Sequence, residues 1–137
     1  MKKGKLISSE CILFYLKEAI LSCNNKVILV DGYPRNFENL EVWDKTMKNF
    51  VEVKAVFFFD GTHDIMMKRI HKRKDGREDD KNDEIIKERI EVFEKETKPL
   101  IDIFEKRGKL IKINCNNDFD MIYTDVKNAL RDLKIIK

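Results

Sequence analysis

The segment 31–35, which reads Asp-Gly-Tyr-Pro-Arg, places groups that can bind an anion and a metal directly after four apolar residues. The apolar run at 27–30 predicts a short strand buried on both faces, as in a parallel sheet. A carboxylate at the carboxyl end of such a strand faces the crevice where open α/β sheets bind ligands. Gly32 lets the backbone approach a ligand, and Pro34 stiffens the turn that carries Arg35. Because a guanidinium donates two parallel hydrogen bonds to a phosphate, the pattern predicts a metal ion beside a phosphate.

The charge balance narrows the class of ligand. Charged residues make up 39% of the 137 residues, yet 28 basic and 25 acidic side chains leave a net charge of only +3. A general nucleic-acid binder carries a larger excess of basic residues, so we expect a small anionic ligand that is bound by local clusters. The length suits one domain with a sizeable core.

The three cysteines, Cys11, Cys23 and Cys115, are odd in number and form no C-x-x-C pair. They are typical of reduced thiols in an intracellular protein, and they indicate neither a zinc site nor a disulfide framework. No apolar run reaches membrane-spanning length, and the first residues lack the apolar block of a signal peptide. We therefore expect a cytoplasmic protein, with a nuclear pool as an alternative.

Helical and strand patterns alternate along the chain. Strands are predicted over 27–31, 53–59 and 110–113. Helices are predicted after Ser8 or Ser9, after Asn36, after Thr62, over 85–93 with a break near Pro99, over 100–108, and after Asn117 or Asp118. This alternation predicts an α/β layer structure with a parallel sheet and right-handed crossovers.

A dense cluster of cations lies between residues 68 and 77, opposed only by Asp75: Lys68, Arg69, Lys72, Arg73, Lys74 and Arg77. One interpretation is a solvated helix end followed by a flexible loop. The other is a lid, in which mobile arginines close over phosphates and neutralise the charge that develops during transfer. Composition alone leaves both interpretations open.

The order of the motifs along the chain distinguishes the lid interpretation from that of a solvated helix end. Four motifs follow one another along the chain: Asp-Gly-Tyr-Pro-Arg-Asn, an aromatic strand, Gly-Arg-Glu-Asp-Asp and Thr-Lys-Pro-Leu-Ile-Asp. This order resembles the nucleoside monophosphate kinases of the adenylate kinase family, and most of all the UMP/CMP kinases. The resemblance covers nearly the whole chain. It implies a three-layer, P-loop kinase-like α/β fold in one domain over 1–137, with a short lid over about 72–81.

The resemblance also implies roles for individual residues. The acceptor nucleotide would be held by Lys5, Leu6, Ile7, Gly32, Tyr33, Pro34 and Arg35, with Arg35 on its phosphate and Tyr33 standing where the family usually has Phe. Arg73, Arg77 and Arg89 would contact phosphates during transfer. Arg73 and Asn117 would lie on the ATP side, and Asp31 would help hold the hydrated Mg²⁺ that accompanies ATP.

The resemblance also implies that Asn39 selects the base of the acceptor nucleotide. It lies four residues after Arg35, where the family's UMP/CMP kinases also have Asn. A short amide suits a pyrimidine because it offers both a donor and an acceptor. The alternative is that Asn39 simply occupies the first turn of a helix. The short lid has no cysteine, which excludes the zinc-bearing lid of some adenylate kinases.

One family element is missing from the sequence. The glycines Gly4, Gly32, Gly61, Gly76 and Gly108 form no Gly-x-x-x-x-Gly-Lys loop, the segment that cradles donor phosphates. We therefore expect an incomplete fold without the family's first strand, P-loop and first helix. Strands 27–31 and 53–59 then lack a neighbour. They could pair directly, another chain could supply a strand, or the protein could be longer.

The implied reaction transfers a phosphoryl group from ATP to UMP or CMP, with little or no activity expected of this chain alone. Two alternatives stay open: a non-catalytic nucleotide-binding or regulatory fragment that acts with a partner chain, and a truncated version of an ordinary kinase. Nucleic-acid binding through residues 68–77 is disfavoured because no aromatic residue is interleaved there. We expect no nucleic-acid and no membrane partner. The family implies a monomer, with self-association as a way to fill the missing strand.

Overall fold

A computed structural model describes residues 8–73, 80 and 82–137. The chain divides into two compact units, Met1–Glu52 and Val53–Lys137, and each is described by itself. The single domain predicted over 1–137 stays a prediction. Most of the lid predicted over about 72–81 lies outside the described residues.

The first unit contains two helices, α1 (Ser9–Leu21) and α2 (Phe37–Met47). Each begins at a predicted cap: the Ser8 side chain accepts a hydrogen bond from the backbone N–H of Cys11, and that of Asn36 accepts one from Asn39. These caps satisfy donors that the first helical turn leaves unpaired. The helices are held together by three buried side chains, Leu13, Ile20 and Met47. Both helices are therefore confirmed.

The strand predicted over 27–31 is wrong. The segment belongs to no β-strand of the described chain. The predicted burial on both faces is also wrong, since Leu29 is 84% exposed and Val27 49%. Apolar composition favours a buried strand only where a neighbouring strand supplies hydrogen bonds. No such neighbour is present among the described residues, and of this apolar run Val30 packs against the core of the first unit.

The second unit is built on a parallel pair of strands, β1 (Val56–Asp60) and β2 (Leu110–Asn114). Val56 lies opposite Leu110, and Asp60 lies opposite Asn114. The α/β class and the parallel sheet are confirmed. Within the described residues the sheet has two strands, which agrees with an incomplete fold.

Four helices accompany these strands: α3 (His63–Lys72), α4 (Asp83–Val92), α5 (Pro99–Lys106) and α6 (Phe119–Asp132). A π-helical turn, Phe93–Thr97, follows α4, and Pro99 is the first residue of α5, so the predicted break is confirmed. Of the two caps offered for α6, the structure uses Asp118, whose carboxylate accepts from the N–H of Met121.

The buried apolar residues of this unit include Ile86 of α4, Leu100 and Phe104 of α5, and Ile113 of β2. Helices α5 and α6 contact β2, so the buried side chains of α5 and β2 belong to the side of the sheet that these helices cover. Within the described ranges, no helix is both long and apolar enough to cross a membrane.

Candidate functional site

The turn before α2 brings Gly32 and Arg35 into contact. Gly32 has φ +71°, in the region that favours glycine, and Nε of Arg35 donates to its carbonyl oxygen at 2.7 Å. A Cβ added at position 32 would lie 2.8 Å from Nη2 of Arg35. The Tyr33–Pro34 peptide bond between them is cis. Glycine at position 32 thus gives the Arg35 guanidinium room to fold over its own turn, where Arg35 is exposed.

The side-chain amide of Asn39 lies at the centre of the first unit's polar contacts. Its Oδ1 accepts from the backbone N–H of Arg35 at 3.1 Å, and its Nδ2 donates to Oγ of Ser9 at 2.8 Å. Asn39 is 6% exposed and Ser9 4%. The Oδ1 and Nδ2 atoms of Asn39 are therefore both hydrogen-bonded within the protein, one to the turn that carries Arg35 and the other to α1.

Tyr33 adds a further contact to the same residue. Its hydroxyl donates to the backbone oxygen of Asn39 at 2.8 Å, and its ring lies 5.8 Å from that of Trp43 between centroids. Burial raises the pKa of Tyr33 above its ordinary value. The phenol therefore stays protonated at neutral pH and remains a donor.

Asp31 lies on the other side of Gly32 and is exposed to solvent. Within the ranges that the structure describes, no three His, Cys, Asp or Glu side chains form a metal-binding cluster. A lone exposed carboxylate nevertheless fits Mg²⁺, which keeps several waters and is usually bound through one or two carboxylates and substrate phosphates.

In the second unit, Asp80 brings two of the predicted arginines together. Its side chain is only 5% exposed and accepts from Nη1 of Arg89 at 2.8 Å, while Nη1 of Arg73 lies 3.9 Å away. A buried carboxylate is costly unless it is paired, so this position depends on the two cations. The side chains of Arg73 and Arg89 are themselves 62% and 47% exposed. Asp80 can therefore orient two cations whose side chains still reach solvent.

A small pocket lies beside Arg73, and one of the residues that line it, Arg69, was not among the predicted site residues. The pocket has a volume of about 300 Å³ and is lined by Arg69, Ile70, Lys72 and Arg73 of α3 and its C-terminal end. Arg69 also donates from Nη2 to the backbone oxygen of Asn117 at 2.8 Å. The spacing of the three cations, at positions i, i+3 and i+4, was a usable signal because such residues share a helix face.

The predicted site residues thus fall into two groups. Gly32, Tyr33, Pro34, Arg35 and Asn39 form one arrangement in the first unit, with Asp31 adjacent in sequence. Arg73 and Arg89 meet at Asp80 in the second unit, where Asn117 contacts Arg69. Lys5, Leu6, Ile7 and Arg77 lie outside the described residues.

Comparison with known proteins agrees with this α/β fold. The family model "Adenylate kinase" matches residues 1–109. The chain belongs to the adenylate kinase family.

Several curated relatives are similar over most of the chain. It is 39% identical to UMP-CMP kinase 1 of Oryza sativa subsp. japonica over 97% of its own length and 54% of that protein. It is 34% identical to the UMP-CMP kinase of Xenopus laevis, over 93% of the chain and 69% of the relative. It is also 34% identical to the uridylate kinase of Saccharomyces cerevisiae, over 96% and 65%. The chain therefore spans between about half and about two thirds of these proteins.

Proposed function

We propose that this chain serves a nucleoside monophosphate kinase that transfers the terminal phosphoryl group of ATP to UMP or CMP. The observation that carries the proposal is the exposed Arg35 guanidinium on a turn fixed by Gly32 and Asn39. The names of the relatives, UMP-CMP kinase and uridylate kinase, support the choice of a pyrimidine acceptor.

On the acceptor side, Arg35 binds the monophosphate. Its planar fork matches two phosphate oxygens, and the hydrogen bonds within the turn reduce the freedom that it loses on binding. Tyr33 and Pro34 shape the same turn. Lys5, Leu6 and Ile7 lie against the nucleoside in this proposal.

On the donor side, Arg73, Arg77 and Arg89 neutralise charge on the transferring group, and Asn117 lies beside the donor base. Phosphoryl transfer builds no covalent intermediate on the protein, so alignment and charge stabilisation supply most of the rate. The pairing of Arg73 and Arg89 with Asp80 supports this assignment, since an arginine that is already oriented loses less entropy in the transition state.

Asp31 is the residue that would hold hydrated Mg²⁺. The ion supplies positive charge to the phosphates of ATP when it is bound. Asp31 itself accepts hydrogen bonds from the ion's water ligands, and its exposure supports that role.

A coupled assay tests the proposal, with Mg²⁺–ATP as donor and CMP, UMP or AMP as acceptor. The 137-residue chain alone should show little or no turnover. With the donor-phosphate loop supplied by a longer chain or by a partner, we expect CMP and UMP to be phosphorylated in preference to AMP, and Arg35→Ala to lower kcat/KM by about 100-fold, the loss of a charge-assisted phosphate contact. Arg35→Lys should recover part of this loss because it restores the charge but not the fork. Arg131→Ala, an exposed arginine of α6 bonded to Asn128, is the matched control and should change nothing.

A second candidate function is nucleotide binding without catalysis, in concert with another polypeptide. In this candidate, the other polypeptide supplies the loop that binds the donor phosphates, which is not among the 137 residues. Calorimetric titration with CMP separates the two. Binding of CMP without turnover supports the second candidate, turnover supports the first, and neither binding nor turnover contradicts both.

A further inference from the structure

We propose that Asn116 is a positioning residue, whose side chain ties the start of α3 to the loop between β2 and α6 and so keeps Arg69 beside Asn117. The inference rests on the proposed function in one respect, because it takes Asn117 to lie beside the base of the donor. It gives a role to Asn116 and to its neighbour Asn114, neither of which was among the predicted site residues.

The loop between β2 and α6 starts as a continuation of the sheet. The backbone N–H of Cys115 donates to the oxygen of Asp60 at 2.6 Å, which adds one hydrogen bond beyond the last residue of β2. At the next residue the contact changes from backbone to side chain, since Oδ1 of Asn116 accepts from the backbone N–H of Thr62 at 2.9 Å. The segments that follow the two strands are therefore joined through Asn116.

Asn114 fixes the direction of the Asn116 side chain. Its Oδ1 accepts from the backbone N–H of Asn116 at 3.0 Å and from Nδ2 of the same residue at 2.9 Å. Because Nδ2 is a donor and is used in this contact, Oδ1 of Asn116 is the atom that remains for Thr62. Asn114 therefore acts on α3 through Asn116.

Helix α3 meets this loop a second time through Arg69. Thr62 is the N-cap of α3, and its own side chain makes no capping hydrogen bond. Arg69 lies about two helical turns further along α3. Long helical side chains lean toward the N-terminus of their helix, and Nη2 of Arg69 reaches the backbone oxygen of Asn117 at 2.8 Å. The helix and the loop are thus joined at two points, through the consecutive residues Asn116 and Asn117.

The two contacts differ in what they hold. The bond from Thr62 fixes the backbone at the start of α3, whereas the bond from Arg69 comes from a long side chain with several rotatable bonds. Without Asn116, the loop can therefore shift relative to α3. Both bonds are exposed, so water can replace them at little cost. We expect the loss of Asn116 to change the placement of Asn117 and to leave the protein folded.

Amide hydrogen exchange followed by NMR tests the contact without a nucleotide. We expect the Thr62 N–H to exchange about fivefold faster in Asn116→Ala, while the amide of Ile70 further along α3 is unchanged. Asn116→Asp keeps the acceptor and should retain the protection, because the amide of Asn114 can turn to donate to the new carboxylate. Equal exchange of Thr62 in the wild type and in Asn116→Ala would overturn the inference.

Titration of Mg²⁺–ATP and of Mg²⁺–triphosphate tests the consequence for the donor side. The dissociation constant of triphosphate divided by that of ATP measures what the adenosine adds to affinity. We expect Asn116→Ala to reduce this ratio about threefold, with the affinity for CMP unchanged, and Asn116→Asp to restore it. Asn128→Ala, which removes an exposed amide of α6, is the control.

The pair Asn114 and Asn116 offers a sharper test. If Asn114 acts through Asn116, Asn114→Ala should lower the ratio less than Asn116→Ala does, and the double variant should lower it no further than Asn116→Ala alone. Losses that add in the double variant would contradict the inference, as would an equal weakening of ATP and triphosphate. If the wild type binds neither compound, the donor side of the proposed function fails, and the exchange of Thr62 still decides whether Asn116 holds α3 to the loop.

Discussion

The carboxylate of Asp80 accepts a hydrogen bond from the guanidinium of Arg89, with 2.8 Å between Oδ1 and Nη1, and 95% of the Asp80 side chain is removed from solvent. Another cation, Arg73, lies 3.9 Å from the other oxygen, so this buried negative charge lies close to at least two positive ones among the described residues. We therefore expect Asp80 to contribute to stability and to the orientation of Arg73 and Arg89, although its place in a charged stretch suggests only a solvated side chain.

We expect Asp80→Asn to destabilise the protein by about 1–2 kcal/mol, since the charge-assisted bond becomes a neutral one while the shape is preserved. It should also lower kcat more than it raises KM for CMP, because it acts on the orientation of Arg73 and Arg89. Urea denaturation and steady-state kinetics measure the two effects. Glu105→Gln, which breaks an exposed pair with Lys112, should cost less than about 0.5 kcal/mol. Equal costs for the two variants would show that burial of Asp80 contributes nothing.

Gly32→Ala should weaken CMP binding through a local collision. The new methyl group would lie 2.8 Å from Nη2 of Arg35 at a φ of +71°, so the guanidinium must move. Gly108→Ala provides a matched control, since Gly108 has φ +65° and its added methyl group would meet no atom within 4 Å. Both substitutions should cost about 1–2 kcal/mol of stability from backbone strain. Only Gly32→Ala should raise the dissociation constant of CMP, and a similar rise in Gly108→Ala would refute the collision.

Tyr33→Phe should cost about 1 kcal/mol of stability, because it removes the hydrogen bond to the backbone oxygen of Asn39 and keeps the ring against Trp43. The substitution should also change the response to high pH. Burial raises the pKa of Tyr33 in the folded state above its ordinary value of 10.0. The unfolded chain therefore loses this proton first, and stability falls as pH rises above about 10.

Denaturant midpoints of the wild type and Tyr33→Phe between about pH 9 and pH 11 check this sign. The wild type should lose its advantage as pH rises, so the two curves should converge. Tyr123→Phe, which alters an exposed ring on α6, is the control for general alkaline effects. Parallel curves for wild type and Tyr33→Phe would contradict the prediction.

Glu94 should contribute to the loss of stability in acid. The hydrogen bond from Lys98, assisted by His63, holds the pKa of Glu94 below its ordinary value of 4.5. Its contribution is present above the unfolded pKa and is lost as pH falls through the lower, folded value. Glu94→Gln should flatten the dependence of the melting temperature on pH below about 4.5. An unchanged acid profile in Glu94→Gln would count against the interaction.

Local signals in the sequence were sufficient for the helices. Ser8, Asn36 and Asp118 cap the helices that they were expected to cap, because a cap depends on backbone groups only two or three residues away. The strand over 27–31 failed for the opposite reason. A strand depends on a partner elsewhere in the chain, and its own residue types do not reveal whether that partner is present.

In the candidate site, too, contacts between residues that are close in sequence could be predicted, and contacts between distant residues could not. The Gly-Tyr-Pro-Arg turn could be predicted, since its residues are adjacent and each has a defined backbone preference. The bond between Asn39 and Ser9 joins residues 30 positions apart, and the one between Arg69 and Asn117 joins residues 48 apart. Such pairings follow from packing of the helices and loops, which motif spacing does not encode.

The parallel pairing of β1 with β2 has a kinetic consequence. Val56 pairs with Leu110, so each rung of the ladder joins residues 54 positions apart. The described residues between the two strands include α3, α4, a π-helical turn and α5. The entropy of closing so long a loop must be lost before any rung forms. We therefore expect the helices to form early in refolding and the sheet to appear last, as the slow step of the second unit.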